Sequence, residues 1–215
     1  MFCRIIMPPE AAYPLCLECQ AVFVPAGLLC IHCERPIERK VCDCKFSGQA
    51  LAGFFALTWY NRHWRKILHG LKYGSRRSLA RPLGKWLGRE IMDGRYFDAD
   101  YIVPVPIHES RYRQRGYNQS ALLAQYMGRE MDLPVYDLLQ KTVQTPPQTG
   151  LSRRDRISNM RGSFTCLSLS LQGSRVLLVD DVFTTGATVR EASSELIKAG
   201  ASVFGAVVAF NPRLN

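Results

Sequence analysis

The sequence predicts an α/β fold, a parallel sheet flanked by helices, joined to a small cysteine-rich N-terminal domain. Three observations carry this. Val176, Leu177, Leu178 and Val179 form a continuous apolar run, as in a strand covered on both faces. Val189, Ala192, Leu196 and Ala199 follow at helical spacing, with Gly200 as a stop. Seven of the eight cysteines fall before residue 45.

Taken in order, residues 1–46 form the cysteine-rich domain and 47–215 the larger one. Cys16 and Cys19 make one CxxC pair, Cys30 and Cys33 a second, and Cys42 and Cys44 a tighter third. A segment this short buries little core, so metal binding would supply its folding energy. Structural zinc takes four thiolates, and a two-residue gap lets both sulfurs of a knuckle face one ion. Cys16, Cys19, Cys30 and Cys33 are one regular ligand set, and Cys30, Cys33, Cys42 and Cys44 are another; all six are candidates. Cys166 stands alone and reads as a packing residue.

Gly48 to Tyr60 is apolar and predicts one or two strands. Trp64 to Gly74 predicts a helix with Ile67, Leu68 and Leu71 on one face; its Lys72 could approach a phosphate, though a solvated lysine is the simpler reading. Ser78 to Met92 predicts a second helix. Asp100 to Pro106 is a buried strand ended by its prolines. A basic loop with Arg111 and Arg115 follows, turned at Gly116, and Asn118 to Arg129 is helical. Leu133 to Leu139 is a short edge segment. Lys141 to Phe164 is a long polar, basic loop of the kind that serves as a lid or binding loop. The strand at Val176, its helix and a last buried strand at Ala201 to Ala209 complete the domain.

Net charge is +10 over 215 residues, and 47% of residues are hydrophobic. That balance suits a packed core and an anionic partner. No apolar run approaches the roughly 18–20 residues of a membrane span, so no membrane insertion is expected. The N-terminus carries no secretory pattern, which predicts a cytoplasmic location. The chain contains neither G-x-x-x-x-G-K-[ST] nor G-x-G-x-x-G, so P-loop and dinucleotide-binding readings lack their signatures.

The chemistry concentrates after Val179. Asp180 and Asp181 end the apolar strand, and Thr184-Thr185-Gly186-Ala187-Thr188 leads into the helix. Open α/β sheets bind ligands beyond the carboxyl ends of their strands. A helix start attracts phosphate through its unpaired N–H groups, and adjacent acids can accept from sugar hydroxyls or hold a divalent cation. The order therefore suits a sugar phosphate.

Val176 to Thr188 resembles the motif with which type I phosphoribosyltransferases bind phosphoribosyl pyrophosphate (PRPP). The wider chain resembles the ComF/GntX family, which joins a zinc ribbon to such a domain. The matching pieces are the CxxC pairs, Leu71-Lys72-Tyr73-Gly74, Val103-Pro104-Val105-Pro106, Arg115-Gly116-Tyr117-Asn118-Gln119, and Thr145, Gln148, Leu151, Arg156, Asn159 and Phe164. The family usually begins with a further CxxC, where this chain has only Cys3.

The resemblance implies a type I phosphoribosyltransferase fold that binds PRPP or a related sugar phosphate with Mg²⁺. Asp180 and Asp181, the expected catalytic pair, would meet the ribose hydroxyls. Thr184, Thr185, Gly186, Ala187 and Thr188 would meet the 5-phosphate, and Arg111 and Arg115 the diphosphate. It also implies an accessory role in DNA uptake during natural transformation, with single-stranded DNA and a DNA helicase as partners. The alternative is an active phosphoribosyltransferase with an unknown acceptor. Trp59, Tyr60, Trp64 and Tyr73, among Arg62, Arg65 and Lys66, are candidate stacking platforms for single strands, with core packing the simpler reading for most of them.

Overall fold

The computed structural model describes residues 23–37, 42, 44, 53–74, 76–143 and 162–211. Its centre is a five-stranded sheet in the order β1-β2-β7-β6-β3. The strands are β1 (Pro25–Cys30), β2 (Gly53–Trp59), β3 (Tyr101–Pro104), β6 (Arg175–Phe183) and β7 (Ser202–Phe210). Strands β2, β7, β6 and β3 run parallel, and β1 pairs antiparallel with β2. The sheet is therefore mixed, with its one antiparallel strand drawn from the cysteine-bearing segment.

Alternation along β6 explains the layers. Leu177 and Val179 face one core, and Val176 and Leu178 face the other. Helices α1 (Arg62–Tyr73), α2 (Ala80–Asp93) and α4 (Gln119–Met131) cover the first face through Trp64, Leu71, Leu87, Leu123 and Met127. Helix α5 (Ala187–Lys198) covers the second through Val189, Ala192 and Leu196. Each large apolar side chain buried this way contributes about 1.5–3 kcal/mol. Helices α2 and α4 approach closely at Gly84, where a Cβ would lie 2.6 Å from the Leu123 carbonyl oxygen.

The expected helices and buried strands are present, and three details differ. Strand β6 continues through the acids to Phe183, because Val182 and Phe183 still pair with Ala209 and Phe210 of β7. The basic stretch after Pro106 is a two-turn helix, α3 (Glu109–Arg115), rather than a loop. His108 caps it by accepting from the Ser110 amide, and Gly116 closes it at φ 74°. The ends of the expected long loop pair as a two-stranded ribbon, β4 (Leu139–Lys141) with β5 (Phe164–Cys166). Residues 144–161, with the clustered arginines, lie outside the described residues, as do Cys3, Cys16 and Cys19. Among the described residues no helix is long and apolar enough to cross a membrane.

Candidate functional site

Three parallel strands release their carboxyl ends into one cleft of about 200 Å³. Tyr60 follows β2, Val105 and Pro106 follow β3, Asp180, Asp181 and Val182 lie near the end of β6, and Thr184 follows it. Lys72, Arg111, Gln119, Lys141 and Thr188 complete the wall. This is the crevice where an open α/β sheet binds its ligand.

Both acids are buried, Asp180 at 7% and Asp181 at 2% relative exposure. Asp180 Oδ1 accepts from the Ser120 hydroxyl at 2.8 Å and from the Asp181 amide at 2.8 Å. Burial, reinforced by the Asp181 charge, pushes the Asp180 carboxyl up to about 7. Asp181 Oδ2 lies 2.7 Å from Lys72 Nζ. Burial works against the Lys72 charge, but Asp181 outweighs it and raises the ammonium above the ordinary lysine value. Lys72 is thus an ion-paired wall of the site and not the solvated side chain expected from sequence.

Lys72 is held in place from the neighbouring motif. The Tyr117 hydroxyl donates to the Leu71 carbonyl, which ties the last turn of α1 to the start of α4. Asn118 caps α4 by accepting from the Ser120 amide, and its Nδ2 donates to the Val105 carbonyl at 3.0 Å. Tyr117, Asn118 and Ser120 therefore fix the acids' surroundings.

The loop before α5 is shaped by Gly186, whose φ is 72°. A Cβ there would lie 2.3 Å from the Phe183 ring. The Thr185 hydroxyl accepts from the Ala187 amide at 3.3 Å. Arg190 donates to the Thr185 carbonyl at 2.9 Å.

Of the expected ligand-binding residues, the cleft brings together Asp180, Asp181, Thr184, Thr188 and Arg111. Thr185, Gly186 and Ala187 build the adjoining loop rather than line the cleft. Arg115 lies over the Tyr73 ring at 4.6 Å and donates to Gln119 Oε1 at 2.8 Å, behind the wall. Ser120 and Lys141 were missed by sequence reasoning, which weighed Lys72 near a phosphate and preferred it solvated. For Lys72 and Ser120 the available signal was their position inside or beside the two matching motifs. Burial, with Arg111 nearby, pushes the Lys141 ammonium down to about 8.

A second cluster sits at the end of β1. The sulfurs of Cys30, Cys33, Cys42 and Cys44 all lie within 4.8 Å of one another. Cys30 and Cys44 are 3.8 Å apart, and Cys33 and Cys42 are 3.5 Å apart. Zinc–sulfur bonds of about 2.3 Å in a tetrahedron put sulfurs about 3.8 Å apart, so the donor set fits zinc. The His32 and Cys44 amides donate to Cys30 and Cys42 sulfurs, each at 3.4 Å, as thiolates require. The Cys44 amide favours the Cys42 thiolate, yet burial and the neighbouring sulfurs push that thiol up to about 12. A cation among four sulfurs removes that penalty. Of the two ligand sets left open, this is the one whose members all lie among the described residues.

On the outer face of α1, Arg62, Arg65, Lys66 and His69 surround a hollow of about 420 Å³ that Arg76 also lines. Trp64 faces inward at 1% exposure and is no stacking platform, whereas Tyr73 is 57% exposed.

Residues 118–213 match the family model described as Phosphoribosyl transferase domain. Competence protein F of Haemophilus influenzae is 42% identical over 103 residues, covering 46% of this chain and 44% of that protein. DNA utilization protein YhgH of Escherichia coli is 36% identical over 141 residues, 63% of this chain and 62% of that one. These two alignments thus span less than two thirds of either relative. YhgH of Salmonella typhimurium is 35% identical over 202 residues, 87% of this chain and 86% of its own length. With the acids at the end of β6, the hydroxyl loop behind them and a relative matched along most of both chains, the protein belongs to the ComF family and carries its type I phosphoribosyltransferase fold.

Proposed function

We propose that the cleft binds PRPP or a related sugar phosphate and that the protein serves as an accessory factor in DNA uptake. The observation that carries this reading is the convergence of Asp180, Asp181, Thr184 and Thr188 with Lys72, Arg111 and Lys141 in one cleft at the strand ends. Acids for hydroxyls and cations for phosphates, side by side, are what a phosphorylated pentose requires. Asp180 and Asp181 would also hold Mg²⁺, for which buried paired carboxylates are suitable donors. The ion, when bound, neutralises diphosphate charge. Lys72 meanwhile pairs with the Asp181 carboxyl and orients it, and Ser120 fixes the Asp180 oxygen that faces it.

Calorimetry of PRPP with Mg²⁺ tests the pocket. Saturable binding by the wild type, lost in Asp180→Ala/Asp181→Ala, is expected. Equal heats from the two proteins would refute it. The DNA role draws on the names of the relatives and on the basic outer face of α1. It predicts salt-dependent binding of single-stranded DNA that survives Asp181→Ala and weakens in Arg62→Ala/Arg65→Ala.

Enzymatic transfer is a second reading, favoured by the three cations beside the acids. They would stabilise diphosphate as it leaves C1 of the ribose. Diphosphate release from PRPP, assayed with a panel of bases, decides it.

A further inference from the structure

The two clusters are joined by one side chain. Arg190 stands in the first turns of α5. It donates to the Thr185 carbonyl at 2.9 Å, within the loop beside the acids. Its other terminal nitrogen donates to the Ile31 carbonyl, between Cys30 and Cys33. The same nitrogen lies 3.5 Å from Glu34 Oε1, next to Cys33. Glu34 is 8% exposed and holds φ at 61°, a conformation the tight turn after the knuckle imposes. The guanidinium also lies 5.7 Å from the Phe183 ring, the ring that Gly186 packs against.

We propose that Arg190 is a positioning residue that makes the shape of the Thr184–Gly186 loop depend on metal at Cys30, Cys33, Cys42 and Cys44. Metal holds the knuckle, and the knuckle presents the Ile31 carbonyl and the Glu34 carboxylate at a set place. Those two acceptors aim the planar guanidinium, whose Nη1 donates to the Thr185 carbonyl. Without metal the knuckle loses the bonds that order it, and Arg190 loses its hold on the Ile31 carbonyl and the Glu34 carboxylate. The loop then samples other conformations. The consequence for binding rests on the sugar-phosphate reading above. The coupling itself does not, and it is reciprocal: a ligand that orders the loop tightens metal binding by the same factor.

Hydrogen exchange at the amides of Thr185 to Thr188 tests the coupling without any ligand. The full chain, loaded with zinc, is compared before and after chelation. Chelation is expected to speed exchange at these amides at least about fivefold in the wild type. Amides in the core of α4, such as Leu123, serve as the control for global unfolding. In Arg190→Lys, which keeps the charge but not the fork, the loop is expected to exchange fast with zinc present and to ignore chelation. Glu34→Gln provides a milder variant with an intermediate response. Unchanged loop exchange on chelation of the wild type, or an equal response in Arg190→Lys, would overturn the proposal. Ribose 5-phosphate is then added and zinc release to a coloured chelator is timed. Slower release in the wild type but not in Arg190→Lys supports the link to binding. No heat of binding from ribose 5-phosphate or PRPP would count against the sugar-phosphate reading and leave the exchange result standing.

Discussion

Lys72 Nζ lies 2.7 Å from Asp181 Oδ2, so the last turn of α1 is pinned to the end of β6 by an ion pair inside the binding cleft. Asp181 is almost wholly buried, while the Lys72 side chain keeps 27% of its exposure. Lys72→Met removes the ammonium that faces the buried Asp181 carboxyl. Breaking a buried pair this way costs about 3–5 kcal/mol, and the partial exposure of Lys72 argues for the low end. Urea denaturation is expected to show that loss, and Lys72→Met/Asp181→Asn to recover most of it. A single variant as stable as the wild type would contradict the role of the pair.

Asp180 predicts a slope of stability against pH. Its carboxyl is pushed from 3.8 up to about 7 in the folded chain. The folded state therefore keeps a proton that the unfolded chain has released. That contribution is fully present below the unfolded value and is lost as pH rises through the folded one. One proton is worth at most about 1.4 kcal/mol per pH unit. Asp180→Asn removes the effect, so its stability relative to wild type is expected to rise between about pH 4 and 7. A constant difference across that range would dismiss the shift.

Legibility followed the range of the interactions. Strand β6 and helix α5 were visible because a continuous apolar run and a helical period are local signals, and Asp180, Asp181, Thr184 and Thr188 travelled with them. Lys72, Ser120 and Lys141 were not assigned to the cleft, because each reaches it from another element, Ser120 from 60 residues away. Helix α3 was missed because it buries no residue, so it has no apolar face to read. Cysteine spacing could not choose between two ligand sets, since either offers two pairs; only the fold of the chain after β1 brings Cys42 and Cys44 to Cys30 and Cys33.

Lys141 predicts how anion binding depends on pH. Its ammonium is pushed down to about 8, so it loses its charge above that pH while Arg111 keeps its own. PRPP affinity in calorimetry is expected to fall as pH rises through about 8. Lys141→Met is expected to bind more weakly at neutral pH and to lose this dependence. Lys141→Arg retains charge and is expected to hold affinity to higher pH.

The four-sulfur cluster predicts a metal count. Cys44→Ser takes away a sulfur 3.8 Å from Cys30 and leaves an incomplete tetrahedron. Bound zinc, read by elemental analysis, is expected to drop by one equivalent per chain. The thermal midpoint is expected to fall as well, because β1 enters the knuckle directly from its pairing with β2. Full zinc retention in Cys44→Ser would exclude this sulfur as a ligand.

Gly186 carries the tightest steric demand in the loop. Its φ of 72° is one that L side chains occupy at a cost, and its missing Cβ leaves room for Phe183 at 2.3 Å. Phe183 cannot give way, since its ring stacks on Phe54 at 4.1 Å and packs against Phe210 at 5.7 Å. In Gly186→Ala the backbone must move instead, which shifts the start of α5 and the Thr185 carbonyl that Arg190 holds. The left-handed conformation alone costs about 1–2 kcal/mol in a non-glycine residue, and the collision adds to it. Thermal denaturation is expected to register at least that loss, and PRPP affinity to fall further than stability alone explains. Phe183→Leu in the same chain makes space under the new methyl group. If the reading of the loop is right, it restores binding in part; if affinity stays equally poor with and without the large ring, the contact between Gly186 and Phe183 does not shape the site.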